Sequence, residues 1–139
     1  MKDKHIRMFL EMAEVAAKTS TARRLKVAAL LVKDSRILSI GINGTTPGSD
    51  NNCEDLIDGQ LVTKPTVAHA EAQAIYKAAR DGQALKDSTL FCNYEPCLAC
   101  CVAMVNSGIK SVYFRESYRS HEGVRFLEDN SVFVQQIKS

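Results

Sequence analysis

The feature that most constrains the fold of this chain is a regular alternation of helical and strand patterns along its 139 residues. Apolar residues recur at helical spacing near the start, and short apolar or β-branched runs bounded by turn residues follow. The predicted strands are 26–32, 37–41, 88–93, 111–114 and 132–135, and the predicted helices are 4–18, 68–82, one with Pro96 at its first position, and 122–129.

This element order predicts an α/β fold in which helices cover both faces of a mixed five-stranded sheet. A single domain spanning residues 1–139 accommodates it. The segment from Ile42 to about Pro65 is rich in Gly, Asn, Asp and Pro and is predicted to be a loop. Because so long a loop in a compact domain is usually functional, we expect this segment to have a functional role.

The charge and cysteine content narrow the classes of function. A net charge of +2 without a long Lys/Arg run argues against a nucleic-acid-binding surface. No apolar run reaches the length of a membrane span, and charges interrupt the N-terminal segment, so we expect a cytoplasmic protein. Three of the five cysteines cluster at 97, 100 and 101, which indicates metal ligation or buried thiols in a reducing compartment.

Two short motifs carry the chemistry: His69-Ala70-Glu71 and Pro96-Cys97-Leu98-Ala99-Cys100. Each falls at a predicted helix start, where the positive end of the helix dipole favours a thiolate. One imidazole and two thiolates supply three zinc ligands and leave a fourth position open, which is typical of catalytic zinc. Glu71 lies close enough in sequence to reach that position, and zinc lowers the pKa of a bound water to about 7.

Each motif alone has an ordinary explanation. An isolated C-x-x-C is often a redox pair or half of a structural zinc site, and H-x-E recurs by chance. Their joint occurrence in this order matches the zinc nucleobase deaminase signature, in which the glutamate is the general acid and base.

With these motifs in place, the chain resembles the cytidine/deoxycytidylate deaminase superfamily, most of all its deoxycytidylate deaminases. The resemblance also includes Gly41-Ile42-Asn43-Gly44, Pro47-Gly48, Asn52-Cys53-Glu54 and the segment 106–113. It departs from the family at Ile42, where an aromatic residue is usual, and at Ala28, where glycine is usual. It also keeps one of two paired cysteines at 53 and lacks the insert that holds a second zinc in some relatives.

The resemblance implies a three-layer α/β/α fold, a homohexamer, and hydrolysis of dCMP to dUMP and ammonia. His69, Cys97 and Cys100 would hold Zn²⁺, and Glu71 would carry protons. Asn43 would contact the sugar, and the backbone N–H of Ala70 would hold the pyrimidine. The family also implies dCTP and dTTP as effectors, with Mg²⁺, near the glycine-rich loop.

A 5′-phosphate requires arginine, hydroxyl or N–H donors. The candidates are Arg23, Arg24, Arg115, Tyr118 and Arg119. We favour Tyr118 and Arg119, then Arg24, although any single arginine is more often a solvated surface charge.

Two other functions stay open at this point. A tRNA or other nucleotide deaminase shares both motifs, but RNA binding calls for a stronger basic patch than the charge-balanced C-terminal segment provides. A non-catalytic zinc module that binds nucleotides would have no need of Glu71. We interpret Cys92 and Cys101 as buried small residues, leave Cys53 open, and treat His5 and His121 as surface residues without a partner.

Overall fold

The structure, a computed structural model, describes residues 1–139. None of its helices combines the length and apolar character that crossing a membrane requires. The elements are α1 (Asp3–Ala17), β1 (Ala28–Lys33), β2 (Arg36–Ile42), β3 (Glu54–Ile57), β4 (Gln60–Thr63), α2 (Ala70–Arg80), β5 (Thr89–Tyr94), α3 (Leu98–Asn106), β6 (Ser111–Glu116), α4 (Glu122–Asp129) and β7 (Phe133–Gln136).

Five strands form the central sheet in the order β2-β1-β5-β6-β7. Strand β1 pairs antiparallel with β2 and β5, whereas β5, β6 and β7 run parallel to one another. The predicted mixed five-stranded sheet is therefore confirmed. Helix α1 covers one face, and α2, α3 and α4 contribute to the apolar cluster on the other face.

Strand β1 shows why the two faces need separate helices. Leu30 and Val32 join the cluster that contains α1, and Ala29 and Leu31 join the cluster that contains α2 and α3. Successive residues of a strand point to opposite faces, so a strand buried on both sides has a continuous apolar run. Complete burial of a leucine side chain such as Leu30 contributes about 1.5–3 kcal/mol.

The segment from Ile42 to Pro65 differs from the prediction, because it contains the β3–β4 hairpin. Its turn is Asp58-Gly59, with φ angles of 49° and 77°. Positive φ at both central residues is typical of the type I′ turn that Asp-Gly favours. The prediction of a continuous loop was wrong for residues 54–63, where this dipeptide was the available signal.

Two glycines allow unusually close approach of backbone around the starts of α2 and α3. A Cβ on Gly41 of β2 would collide with the Ala70 carbonyl oxygen and with the backbone of Ala74. A Cβ on Gly123 of α4 would lie 2.7 Å from the Pro96 carbonyl oxygen. Helix α2 therefore rests directly on β2, and α4 rests directly on the turn that leads into α3.

Candidate active site

Both sequence motifs lie at helix starts, as predicted. His69 and Cys97 are the N-cap residues of α2 and α3, with extended backbone (ψ 154° and 165°). The prediction that Pro96 occupies the first helical position was wrong, because Cys97 is extended and α3 begins at Leu98. At each N-cap the positive end of the helix dipole faces the donor atoms, which favours negative charge there.

His69, Cys97 and Cys100 come together as one donor set, with their ligand atoms within 4.8 Å of one another. The His69 Nδ1 atom lies 3.4 Å from Cys97 Sγ and 3.5 Å from Cys100 Sγ. Tetrahedral zinc, with bonds of about 2.05 Å to nitrogen and 2.3 Å to sulfur, separates such atoms by about 3.6 Å. The residues therefore fit Zn²⁺ and leave one coordination position open.

The protonation of the donor set follows from its internal contacts. Hydrogen bonds from Cys100 and His69 lower the pKa of Cys97 to about 4. The pKa of Cys100 is raised, first by the hydrogen bond that Cys100 makes with Cys97 and second by burial. The hydrogen bond to Cys97 also raises the pKa of His69. Cys97 is therefore a thiolate at neutral pH, which is the form a metal binds.

Glu71 lies in the first turn of α2, where its side chain is buried beside the donor set. Burial, reinforced by the nearby Cys97 charge, raises its pKa to about 7. Cys92 and Cys101 are fully buried and, as interpreted from the sequence, behave as small core residues. Burial raises the pKa of Cys92 well above its usual range and that of Cys101 to about 12, so both remain thiols.

A cleft of about 330 Å³ opens above the donor set. It brings together the predicted catalytic residue, two of the three zinc ligands and the favoured substrate-binding residues, whereas the third ligand, Cys100, contributes its sulfur to the donor set from a buried position. The predicted residues that line it are Arg24, Asn43, His69, Ala70, Glu71, Cys97, Tyr118 and Arg119.

The arginine candidates separate clearly in the structure. Arg24 and Arg119 line the cleft with exposed side chains, and the Arg119 guanidinium lies 5.3 Å from the centre of the Tyr118 ring. Arg23 forms an ion pair with Glu54 at 3.3 Å and lies outside the cleft lining.

Arg115 was a wrong candidate for binding the phosphate. Its side chain is buried, and its Nε lies 3.0 Å from a carboxylate oxygen of Glu14. Its Nη1 also donates to the Ile137 carbonyl at 3.2 Å. Arg115 therefore ties β6 to α1 and to the C-terminal segment, away from the cleft.

Asn43 lines the cleft, but most of its amide is engaged within the protein. Its Oδ1 accepts hydrogen bonds from the Ser20 hydroxyl at 2.8 Å and the Val27 N–H at 2.9 Å. Its Nδ2 donates to the Leu25 carbonyl at 2.8 Å. An amide carries two N–H donors, so one is left for a ligand.

Two buried carboxylates in the cleft lining were not predicted as site residues. Glu54 accepts backbone N–H groups of Arg23 and Arg24 at 2.8 and 3.0 Å. Burial opposes ionisation of Glu54, but these bonds outweigh it, and its pKa is lowered.

Glu95 accepts from His121 Nδ1 at 2.8 Å, so His121 has a partner that the sequence did not reveal. A separation of 26 residues hides that pair, although Glu95 directly precedes the Pro96 motif.

Comparison with known proteins agrees with this geometry. Residues 3–116 match the cytidine and deoxycytidylate deaminase zinc-binding region. The dCMP deaminase of cyanophage S-TIM5, solved in complex with dCMP and dUMP, is 36% identical, with a TM-score of 0.92 and 99% of both chains covered.

Cellular relatives show the same similarity at greater distance. ComE operon protein 2 of Bacillus subtilis is 32% identical over 134 residues, which cover 94% of this chain and 69% of that protein. Deoxycytidylate deaminase of Saccharomyces cerevisiae is 32% identical over 135 residues, covering 92% of this chain and 43% of the yeast protein. With its donor set, its sheet order and these matches, the chain belongs to the cytidine and deoxycytidylate deaminase family.

Proposed function

We propose that this chain catalyses the hydrolytic deamination of dCMP to dUMP and ammonia. The observation that carries the proposal is one cleft that combines the His69/Cys97/Cys100 donor set with buried Glu71 and two exposed arginines. The similar cyanophage enzyme, solved with dCMP and dUMP, supports the choice of substrate.

The reaction adds water to C4 of cytosine and expels the amino group. Zinc, when bound to the donor set, supplies a Lewis acid that acidifies the attacking water. Glu71 accepts one proton from that water and gives it to ring N3, and then moves the second proton to the amino nitrogen. The C4–N4 bond breaks, ammonia leaves and the C4 carbonyl forms. One water is consumed and one ammonia is released for each dCMP converted to dUMP.

Backbone and arginine donors would orient the nucleotide. Because Ala70 is the first residue of α2, its N–H has no partner within the helix and is available to the pyrimidine. Arg24 and Arg119 would supply positive charge for a 5′-phosphate, and Tyr118, which lines the cleft next to Arg119, would add a hydroxyl donor. The remaining N–H of Asn43 would reach the sugar.

The test is an ultraviolet assay of zinc-loaded protein with dCMP, CMP, deoxycytidine and a tRNA anticodon stem-loop. We expect turnover of dCMP, and a loss of about 10²–10⁴-fold in kcat for Glu71→Gln with zinc retained. Glu122→Gln, an exposed glutamate in the first turn of α4, is the matched control. Turnover of the stem-loop but not dCMP would favour the tRNA deaminase, and zinc-loaded protein that binds dCMP without releasing ammonia would favour the binding module.

We also propose that the chain forms a homo-oligomer, a hexamer by family resemblance. Helix α3 carries no charged residue, and its Leu98 and Val102 are 41% and 39% exposed. A helix that is apolar on all sides is usually covered by protein, which supports a second copy on this face. Sedimentation velocity with wild type and Val102→Glu tests this, and a wild-type monomer at micromolar concentration would contradict it.

Regulation by dCTP and dTTP with Mg²⁺ is a further part of the proposal. A cavity of about 510 Å³ beside the glycine-rich loop supports it, because Thr46, Lys77 and Arg80 in its lining carry donors for a triphosphate. Initial rates measured with each effector would test it.

The five unpaired cysteines support a reducing compartment, the cytoplasm, as the place of action.

A further inference from the structure

Glu95 makes a cluster of contacts that the reaction itself does not use. It lies between β5 and α3, and its side chain is 1% exposed. A buried carboxylate is costly unless hydrogen-bond donors satisfy it. Its oxygens accept from the Tyr118 N–H at 3.2 Å and from His121 Nδ1 at 2.8 Å. Because a carboxylate oxygen accepts, His121 carries its proton on Nδ1 in this bond.

These contacts all lead to the segment 117–121, which joins β6 to α4 and carries Tyr118 and Arg119. The Glu95 N–H also donates to the Glu116 carbonyl at 2.8 Å, so this one residue holds the segment at its start, near its middle and at its end. The side chains of Tyr118 and Arg119 are exposed in the cleft, where the Arg119 guanidinium lies over the Tyr118 ring. The position of this cleft wall therefore depends on Glu95.

We propose that Glu95 and His121 form a clasp that positions the segment 117–121 as a wall of the cleft and thereby sets its preference for a 5′-phosphorylated substrate. This inference rests on the proposed function for its substrate but not for its structural part. Glu95 and His121 are positioning residues that act through Tyr118 and Arg119. Without the clasp, the wall moves away and the phosphate loses its ligands, while the chemistry at C4 is unaffected.

The most informative variants change His121, because its side chain is 59% exposed and its removal leaves the core intact. His121→Ala removes the donor, whereas His121→Asn keeps an N–H close to the place of Nδ1. His5→Ala removes a histidine from α1, remote from the clasp, and is the matched control. Glu95→Gln is a second test from the acceptor side, with zinc content measured because Cys97 is two residues away.

Two measurements apply to each variant. Hydrogen–deuterium exchange of the peptide that contains Tyr118 reports the clasp directly, because the Tyr118 N–H is one of its donors. We expect exchange in this peptide to accelerate in His121→Ala and to recover in His121→Asn, with α1 unchanged. Steady-state kinetics should show KM for dCMP about tenfold higher in His121→Ala, with kcat and the constants for deoxycytidine within about twofold of wild type.

The outcomes separate this inference from the proposed function. Equal losses with dCMP and deoxycytidine, or unchanged exchange together with unchanged KM, would overturn the clasp. Faster exchange in a protein whose wild type never deaminates dCMP would keep the clasp and reject the substrate. Failure of His121→Asn to restore either quantity would also count against it, since the donor would then be irrelevant.

Discussion

Three buried carboxylates contribute to the cleft, and their partners divide them into two roles. Glu54 and Glu95 are held by N–H groups of other segments. Glu71 instead lies beside the donor set, where burial raises its pKa to about 7. A group that carries protons must exchange them with a ligand, so Glu71 is the carboxylate suited to the chemistry and the other two are suited to holding backbone.

The exposed arginines allow a prediction about the substrate phosphate. Arg24→Ala and Arg119→Ala should each raise KM for dCMP by about 10- to 100-fold, because a charge-assisted hydrogen bond contributes about 1.5–3 kcal/mol. KM for deoxycytidine, which has no phosphate, should stay unchanged. Arg125→Ala removes an exposed arginine from α4 and is the control. Identical effects on both substrates would exclude these arginines as phosphate ligands.

At the scale of elements, the site depends on how closely α2 lies on β2. Gly41→Ala should lower the free energy of unfolding by about 1–3 kcal/mol, because the new methyl group collides with the backbone of α2. Zinc affinity should fall with it, since His69 is the N-cap residue of that helix. Gly44→Ala is the matched control, because its nearest contact is 3.9 Å away. Urea denaturation and zinc titration of both variants would check this, and equal stability would contradict it.

The β3–β4 hairpin is anchored by Glu54, which predicts an acid-dependent stability. Its folded pKa lies below the usual 4.5, so its contribution is fully present above pH 4.5 and is lost as the pH falls through the lower, folded pKa. Glu54→Gln should therefore be less stable than wild type by about 1–3 kcal/mol at pH 7. Urea midpoints at pH 7, 5, 4 and 3 should show this difference shrinking only below pH 4.5. A difference independent of pH would show that the Glu54 charge is not what holds the hairpin.

Local sequence patterns predicted the elements and motifs far better than the contacts between distant segments. The helix starts beside His69 and Cys97 follow from short motifs to within about two residues, and the five strands of the sheet follow from apolar runs. Burial of Arg115 depends instead on Glu14, about a hundred residues away, and charge alone does not distinguish it from Arg119. The Glu95–His121 pair was not predicted for the same reason, because side-chain partners across loops leave no periodic signal in the sequence.

At the scale of the whole molecule, the donor set joins two helices that otherwise have few direct contacts. His69 is the N-cap residue of α2, whereas Cys97 is the N-cap residue of α3 and Cys100 lies in its first turn. A metal bound there ties the two helices to each other. A ligand that binds only the folded state stabilises that state by about 2.7 kcal/mol when the free ligand concentration is about 100 times the Kd.

Chelation of zinc should therefore lower Tm by about 5–10 °C. Differential scanning calorimetry with and without a chelator would measure the shift. Cys97→Ser should show little further change on chelation, because its site is already impaired, whereas Cys101→Ser, a non-ligand neighbour, should respond like wild type. An equal response of Cys97→Ser and wild type would mean that the metal binds elsewhere.

Gly41 lets α2 lie close against β2, and Gly123 lets α4 lie close against the turn before α3; these two contacts have a consequence for how new specificities can arise. These contacts confine the groups that perform the bond-breaking steps to rigid helix starts, while Arg24 and Arg119 belong to connecting segments. Sequence changes in those segments can therefore exchange one substrate for another without disturbing the reactive groups. A chain built in this way offers a library design in which the segments around residues 24 and 119 are varied and the two helix starts are left untouched.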